Sequence, residues 1–138
     1  MRSLGRSLGL GVLMWLIPFV VAFISFPLRG PARPLFESIM AVTVTGSAVV
    51  LGLAWLGRVE RRPVRDGFLV GILWFAVCIL IDAPLMLAGG PMHMSFADYM
   101  ADIGLTYAGI PLVTTGLAAA RSAGTARGAA APSATAAG

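Results

Sequence analysis

Four apolar stretches of similar length, each bounded by charge, constrain this chain more than any other feature. Residues 7–28 carry no charge between Arg6 and Arg29. A second uncharged stretch, residues 38–57, lies between Glu37 and Arg58. A third runs from residue 67 to about residue 89 and is broken only by Asp82. A fourth covers residues 103–120 and ends at Arg121. An α-helix rises about 1.5 Å per residue, so about 20 residues cross a hydrocarbon core of about 30 Å. Barrel strands would alternate apolar and polar side chains. Residues 12–21 and 68–81 do not alternate. The pattern predicts an all-α, four-helix transmembrane bundle. Its single membrane domain occupies residues 1–121, with spans near 8–28, 38–57, 67–88 and 97–120.

Composition excludes the competing classes. The chain is 58% hydrophobic and 12% charged, against roughly 25% charged in a soluble domain. So few charges cannot cover a water-facing surface, and so much apolar residue excludes disorder over most of the length. A single cysteine, Cys78, excludes a disulfide scaffold and a cysteine-cluster metal site. Lysine, asparagine and glutamine are absent, and all ten basic residues are arginine, which reads as genomic base composition. The net charge of +4 can signal nucleic acid. Here the arginines flank apolar runs, so the lipid bilayer is the expected partner and nucleic acid is not.

Charge also sets the expected orientation. Four spans put both termini and the middle loop on one side. That side holds Arg2, Arg6, Arg58, Arg61, Arg62, Arg65, Arg121 and Arg127, and the other holds only Arg29 and Arg33. The positive-inside rule then places both termini in the cytoplasm, in a prokaryotic inner membrane. Arg2 and Arg6 ahead of an apolar core resemble a signal peptide, but the core is long and lacks a clear small-x-small site. It is read as a retained helix. From Ser122 onward the chain is Ala, Gly, Ser, Thr and Pro with one arginine. Residues 122–138 are expected to be a disordered low-complexity tail, with alanine richness allowing some helical extension.

Fainter features concern packing. Shifting the chain by 60 residues aligns Gly11-Val12-Leu13 with Gly71-Ile72-Leu73, and Gly30-Pro31 with Gly90-Pro91. The two halves are readable as repeated helical hairpins related by an axis along the membrane normal. Gly67 with Gly71, Ala48 with Gly52, and Gly104 with Ala108 are small-residue pairs that let helices approach closely. Thr43 and Ser47 share a helix face suited to hydrogen bonding across to a neighbour. Trp55 fits an interfacial belt, and Trp15 and Trp74 read as packing residues. Pro18 and Pro111 sit near mid-span, and each frees a carbonyl one turn earlier.

The connection between the third and fourth spans holds the candidate chemistry. Ser95 followed by Asp98 reads as a helix-capping box. Asp82 lies inside the end of the third span and Asp102 inside the start of the fourth, at similar depth by residue count. Acids inside a membrane are functional candidates by default. Asp82 and Asp102 are therefore either an ion or proton site, or a structural ion pair with Arg29 or Arg33. Met92, His93 and Met94, near Met86 and Met100, offer thioether and imidazole ligands that suit Cu(I). Methionine is also a common apolar filler. No nucleophile triad, phosphate loop, zinc motif or redox cysteine pair is present, and no cofactor is expected.

Asp82-Ala83-Pro84-Leu85, the run Gly89-Gly90-Pro91-Met92-His93-Met94-Ser95, and Asp102-Ile103-Gly104-Leu105-Thr106-Tyr107 with Ile110-Pro111 carry a resemblance. They resemble a group of short prokaryotic four-helix integral membrane proteins whose function is unknown. The likeness spans all four helices and excludes the tail, and it implies topology without chemistry. Small multidrug transporters of this size place a glutamate in the first helix, where this chain has no acid. Fluoride channels of this size use asparagine, which is absent. The expected role is a small non-enzymatic membrane protein, either a homo-oligomer or an accessory subunit of a larger complex. The alternatives are an ion or proton channel or transporter using Asp82 and Asp102, and a copper-handling protein using the Met/His loop.

Overall fold

A computed structural model of the chain describes residues 2–57, 63–88 and 93–130. The described chain is helical, with helix α1 at Arg2–Ser25, α2 at Arg33–Leu56 and α3 at Pro63–Leu87. The fourth span is assembled from pieces: α4 (Phe96–Tyr99), a π-helical turn (Met100–Gly104), α5 (Leu105–Tyr107) and α6 (Gly109–Ala130). Four helical segments are long and apolar enough to cross a membrane: Leu4–Leu28, Arg33–Leu56, Val64–Leu87 and Phe96–Arg127. Their outward faces carry large apolar side chains such as Phe23, Ile24, Val42, Leu80 and Leu112. On a soluble protein such a continuous apolar surface would drive aggregation. On a multi-pass membrane protein it is the lipid-facing wall.

Local sequence explains where the helices start and stop. Pro27 follows α1 and opens a short 3-10 turn, Phe26–Leu28. Pro34 sits in the first turn of α2, where its missing N–H costs nothing. Gly57 closes α2 by donating its N–H to the Leu53 carbonyl at 3.0 Å. Asp66 sits in the first turn of α3, where a carboxylate suits the helix dipole. Ser95 caps α4: its Oγ accepts from the Asp98 backbone N–H at 3.2 Å and donates to the Asp98 carboxylate at 2.6 Å.

The helices form a ring in the order α1, α2, fourth span, α3, with α3 and α6 in the most extensive contact. The two hairpins lie side by side, α1 beside α3 and α2 beside the fourth span. A twofold axis along the membrane normal would set α1 diagonally across from α3. The bundle therefore lacks the axis that the 60-residue shift suggests. Parallel neighbours pack directly instead.

Glycine decides the closest approach. A Cβ on Gly71 would overlap Thr114 Oγ1 and sit 2.5 Å from Pro111 Cα. A Cβ on Gly67 would sit 2.6 Å from Ala118 Cβ and 2.8 Å from the Thr114 carbonyl oxygen. The α3–α6 interface is thus backbone against backbone, as small-residue spacing in lipid allows. Met14, Val44, Ala48, Leu51, Val70, Trp74, Cys78, Tyr107 and Ile110 form the buried core.

Several details differ from the sequence reading. All three tryptophans cross-link helices. Trp74 Nε1 donates to the Ser7 carbonyl at 2.9 Å, Trp55 Nε1 to Ser7 Oγ at 3.0 Å, and Trp15 Nε1 to Asp82 Oδ1 at 3.3 Å. An indole N–H inside an apolar bundle needs an acceptor, and a neighbouring helix supplies it. Thr43 does not reach across: its hydroxyl bonds the Ile39 carbonyl of its own helix at 2.7 Å. The expected disordered tail from Ser122 is corrected as far as Ala130, because α6 continues to that residue. Alanine is the best helix former, and the Ser122 and Thr125 hydroxyls bond back to carbonyls of the same helix. Residues 131–138 lie outside the described residues, as does the basic loop from Arg58 to Arg62.

Candidate functional site

Within one half of the bundle the four spans part around a cavity of about 350 Å³. It lies at the end that carries Arg29, Arg33 and the α3–α4 connection. Towards Arg121 the described side chains of the core are closely packed. Met14, Trp74, Cys78, Ile110 and Thr114 there are all at most 1% exposed, and none of them lines the cavity. The lining thus runs from the exposed Arg33, Glu37 and Asp102 to the buried Asp82.

Proline and a wide helical turn shape the walls. Pro18 is a buried wall residue of α1. Pro111 has no N–H for the Tyr107 carbonyl, and the helix is interrupted at Ala108, between α5 and α6. The Thr115 and Thr114 hydroxyls bond the Pro111 carbonyl at 2.6 and 3.3 Å, and Thr114 also bonds Ile110. The π-turn at Met100–Gly104 alters the register of the fourth span. In an unbroken α-helix, Tyr99 and Tyr107 would face directions about 80° apart. The extra residue absorbed by the wider turn returns both to the inward face, and both are buried.

Asp82 stands at the inner end of the cavity and is 3% exposed. Its Oδ1 accepts from Trp15 Nε1 at 3.3 Å. The hydroxyls of Tyr107 and Tyr99 also face this carboxyl. Tyr99 Oη is fully buried, yet it lies outside good hydrogen-bond geometry and has no partner among the described residues. Tyr107 lines the cavity beside Asp82. One donor, Trp15, thus bonds the acid, two tyrosine hydroxyls stand near it, and among the described residues no arginine reaches it.

Asp102 is placed differently. It sits in the π-turn at the rim, and its carboxylate meets Arg33 Nη2 at 3.2 Å. Arg33 also holds Glu37 through Nε at 2.7 Å. These side chains are largely exposed, so the network contributes little to stability. The two acids border the same cavity but are not at equal depth. Asp82 is buried with hydrogen-bond donors, and Asp102 is exposed with an arginine. Arg29 lines the rim and makes no ion pair among the described residues.

The remaining sequence candidates sit elsewhere. Ser95 and Asp98 form the α4 cap. His93 is exposed, Met94 is half-buried, and neither lines the cavity. Met92 lies outside the described residues. Met86 is a wall residue, whereas Met100 packs its sulfur against Gly104. Among the described residues, no group of three or more His, Cys, Asp and Glu side chains is placed to hold a metal ion.

Tyr107 is among the neighbours that the sequence offers to the acids, whereas Trp15 read as a packing residue and Tyr99 carried no signal, because their meeting at Asp82 depends on three separate helices. A signal was nonetheless present: Trp15 and Asp82 are 67 residues apart on helices expected to run parallel. No family model, curated protein or solved structure matches this chain.

Proposed function

We propose that this chain is a small multi-pass protein of a prokaryotic inner membrane that works by binding, without catalysis or permeation. One observation carries the reading: the cavity reaches Asp82, and Trp74, Met14, Cys78 and Ile110 are buried in the packed core outside it. An apolar constriction without water does not conduct. A blind cavity with a few converging polar groups is the usual form of a small-ligand site. Such a protein acts as a ligand-holding homo-oligomer or as an accessory subunit of a larger membrane complex. The arginine distribution supports an orientation with both termini cytoplasmic and the cavity mouth facing outward.

Proton and cation flux in liposomes tests the reading. The purified protein is expected to leave vesicles as tight as protein-free ones. A steady flux that disappears in Asp82→Asn would replace binding with permeation. For orientation, a reporter enzyme fused after Ala120 should be active only in the cytoplasm, and a thiol label at Ala32→Cys should react from outside. A periplasmic reporter at Ala120 would reverse the assignment.

A further inference from the structure

The cavity has a chemical polarity that names its ligand class. Its wall is largely apolar and aromatic, with Phe19, Phe36, Met40 and Met86 around the inner space. Phe19 stacks on Trp15 with ring centroids 4.7 Å apart, so the wall and the Asp82 donor form one rigid unit. The charged groups in the lining are Arg29 and Arg33 against Glu37, Asp82 and Asp102, one more acid than base. Arg33 is already held by Glu37 and Asp102. Asp82 is the one acid of the lining that no cation reaches among the described residues. A buried carboxylate without a counter-charge is costly in a low-dielectric site, and a bound cation relieves that cost.

From this geometry we infer that the cavity binds a small organic amine, with its ammonium on Asp82 and its apolar body against the phenylalanine and methionine wall. The inference rests on the binding reading and specifies its ligand. Trp15 Nε1 bonds Oδ1, and a carboxylate has lone pairs enough to accept from an ammonium as well. The aromatic faces add cation–π attraction. About 350 Å³ is near the lower end of small-ligand sites, roughly 300–1,000 Å³. A single-ring amine fits that volume, and a folded lipid does not. An inorganic cation would leave the apolar wall unused and would need more oxygen ligands than one carboxylate offers.

Phenethylamine is the probe, with 2-phenylethanol and 3-phenylpropionate as neutral and anionic matches. Binding is read by intrinsic tryptophan fluorescence and by thermal stability of the full chain in detergent. Saturable binding of the amine is expected, with both matches at least about tenfold weaker. Asp82→Asn should reduce amine affinity by a similar factor. Ala22→Phe keeps the acid and fills the cavity from α1, so it should abolish binding while helical content and melting stay unchanged. The Ala22→Phe arm decides the matter even if the Asp82 variant folds poorly. Equal binding of 2-phenylethanol, or undiminished amine binding in Ala22→Phe, overturns the inference. Vesicles that stay tight while the amine fails to bind would reject this ligand class alone. Proton flux without amine would reject the binding reading itself.

Discussion

Replacing Gly71 with alanine should loosen the bundle at its tightest interface. The added Cβ would overlap Thr114 Oγ1 and lie 2.5 Å from Pro111 Cα. Non-bonded carbons prefer about 3.5–4.0 Å, so α3 and α6 must part locally by about 1–1.5 Å. The opposing Pro111 Cα is backbone, and no rotamer change can relieve it. Overpacking of this kind costs about 1–3 kcal/mol. Alanine returns up to about 1 kcal/mol through helix propensity. The expected net loss is therefore about 0–2 kcal/mol against the parent and about 1–3 kcal/mol against a control glycine, with Gly67→Ala similar because Ala118 Cβ and the Thr114 carbonyl oxygen are as fixed as backbone. Gly46 and Gly116 are the internal controls, since a Cβ at either meets nothing within 4 Å. Gly46→Ala and Gly116→Ala should be neutral or stabilising. The assay is equilibrium unfolding in mixed micelles, read by tryptophan fluorescence, with thermal melts alongside. Gly71→Ala as stable as Gly46→Ala would refute the close-packed α3–α6 interface.

Asp82→Leu should destabilise by about 1–3 kcal/mol, because Trp15 Nε1 loses its acceptor inside the bundle; Asp82→Asn, which keeps a carbonyl acceptor, should lose less in the same melts. Arg33→Gln should leave melting nearly unchanged, since its pairs with Glu37 and Asp102 are solvent-exposed; a large drop would mean that the rim network holds the cavity together. Arg121→Ala should lower stability, because its guanidinium donates to the Leu56 carbonyl at the C-terminal end of α2. Deleting residues 122–138 should change little, because side chains 123–127 of the helical extension are exposed; a drop matching Arg121→Ala would show that the extension positions Arg121.

The four spans were legible in the sequence because the bilayer demands about 20 apolar residues per crossing and expels charge from between them. The Ser95–Asp98 cap and the Gly67–Gly71 approach were legible too, since each depends on residues one turn apart. The stretch after Ser122 was half legible: the lack of an apolar face suggested a tail, while its alanine richness allowed the helical extension that reaches Ala130. The ring order of the spans, the π-turn that brings Tyr99 beside Tyr107, and the different depths of Asp82 and Asp102 came only from tertiary structure. Each depends on contacts between helices dozens of residues apart, and in a chain apolar on nearly every face, hydrophobic periodicity does not say which face turns inward. Sequence thus determined that Asp82 lies within a membrane helix. The packing of Trp15, Tyr99 and Tyr107 from two other spans decided that it borders a cavity with an indole donor and, among the described residues, no arginine.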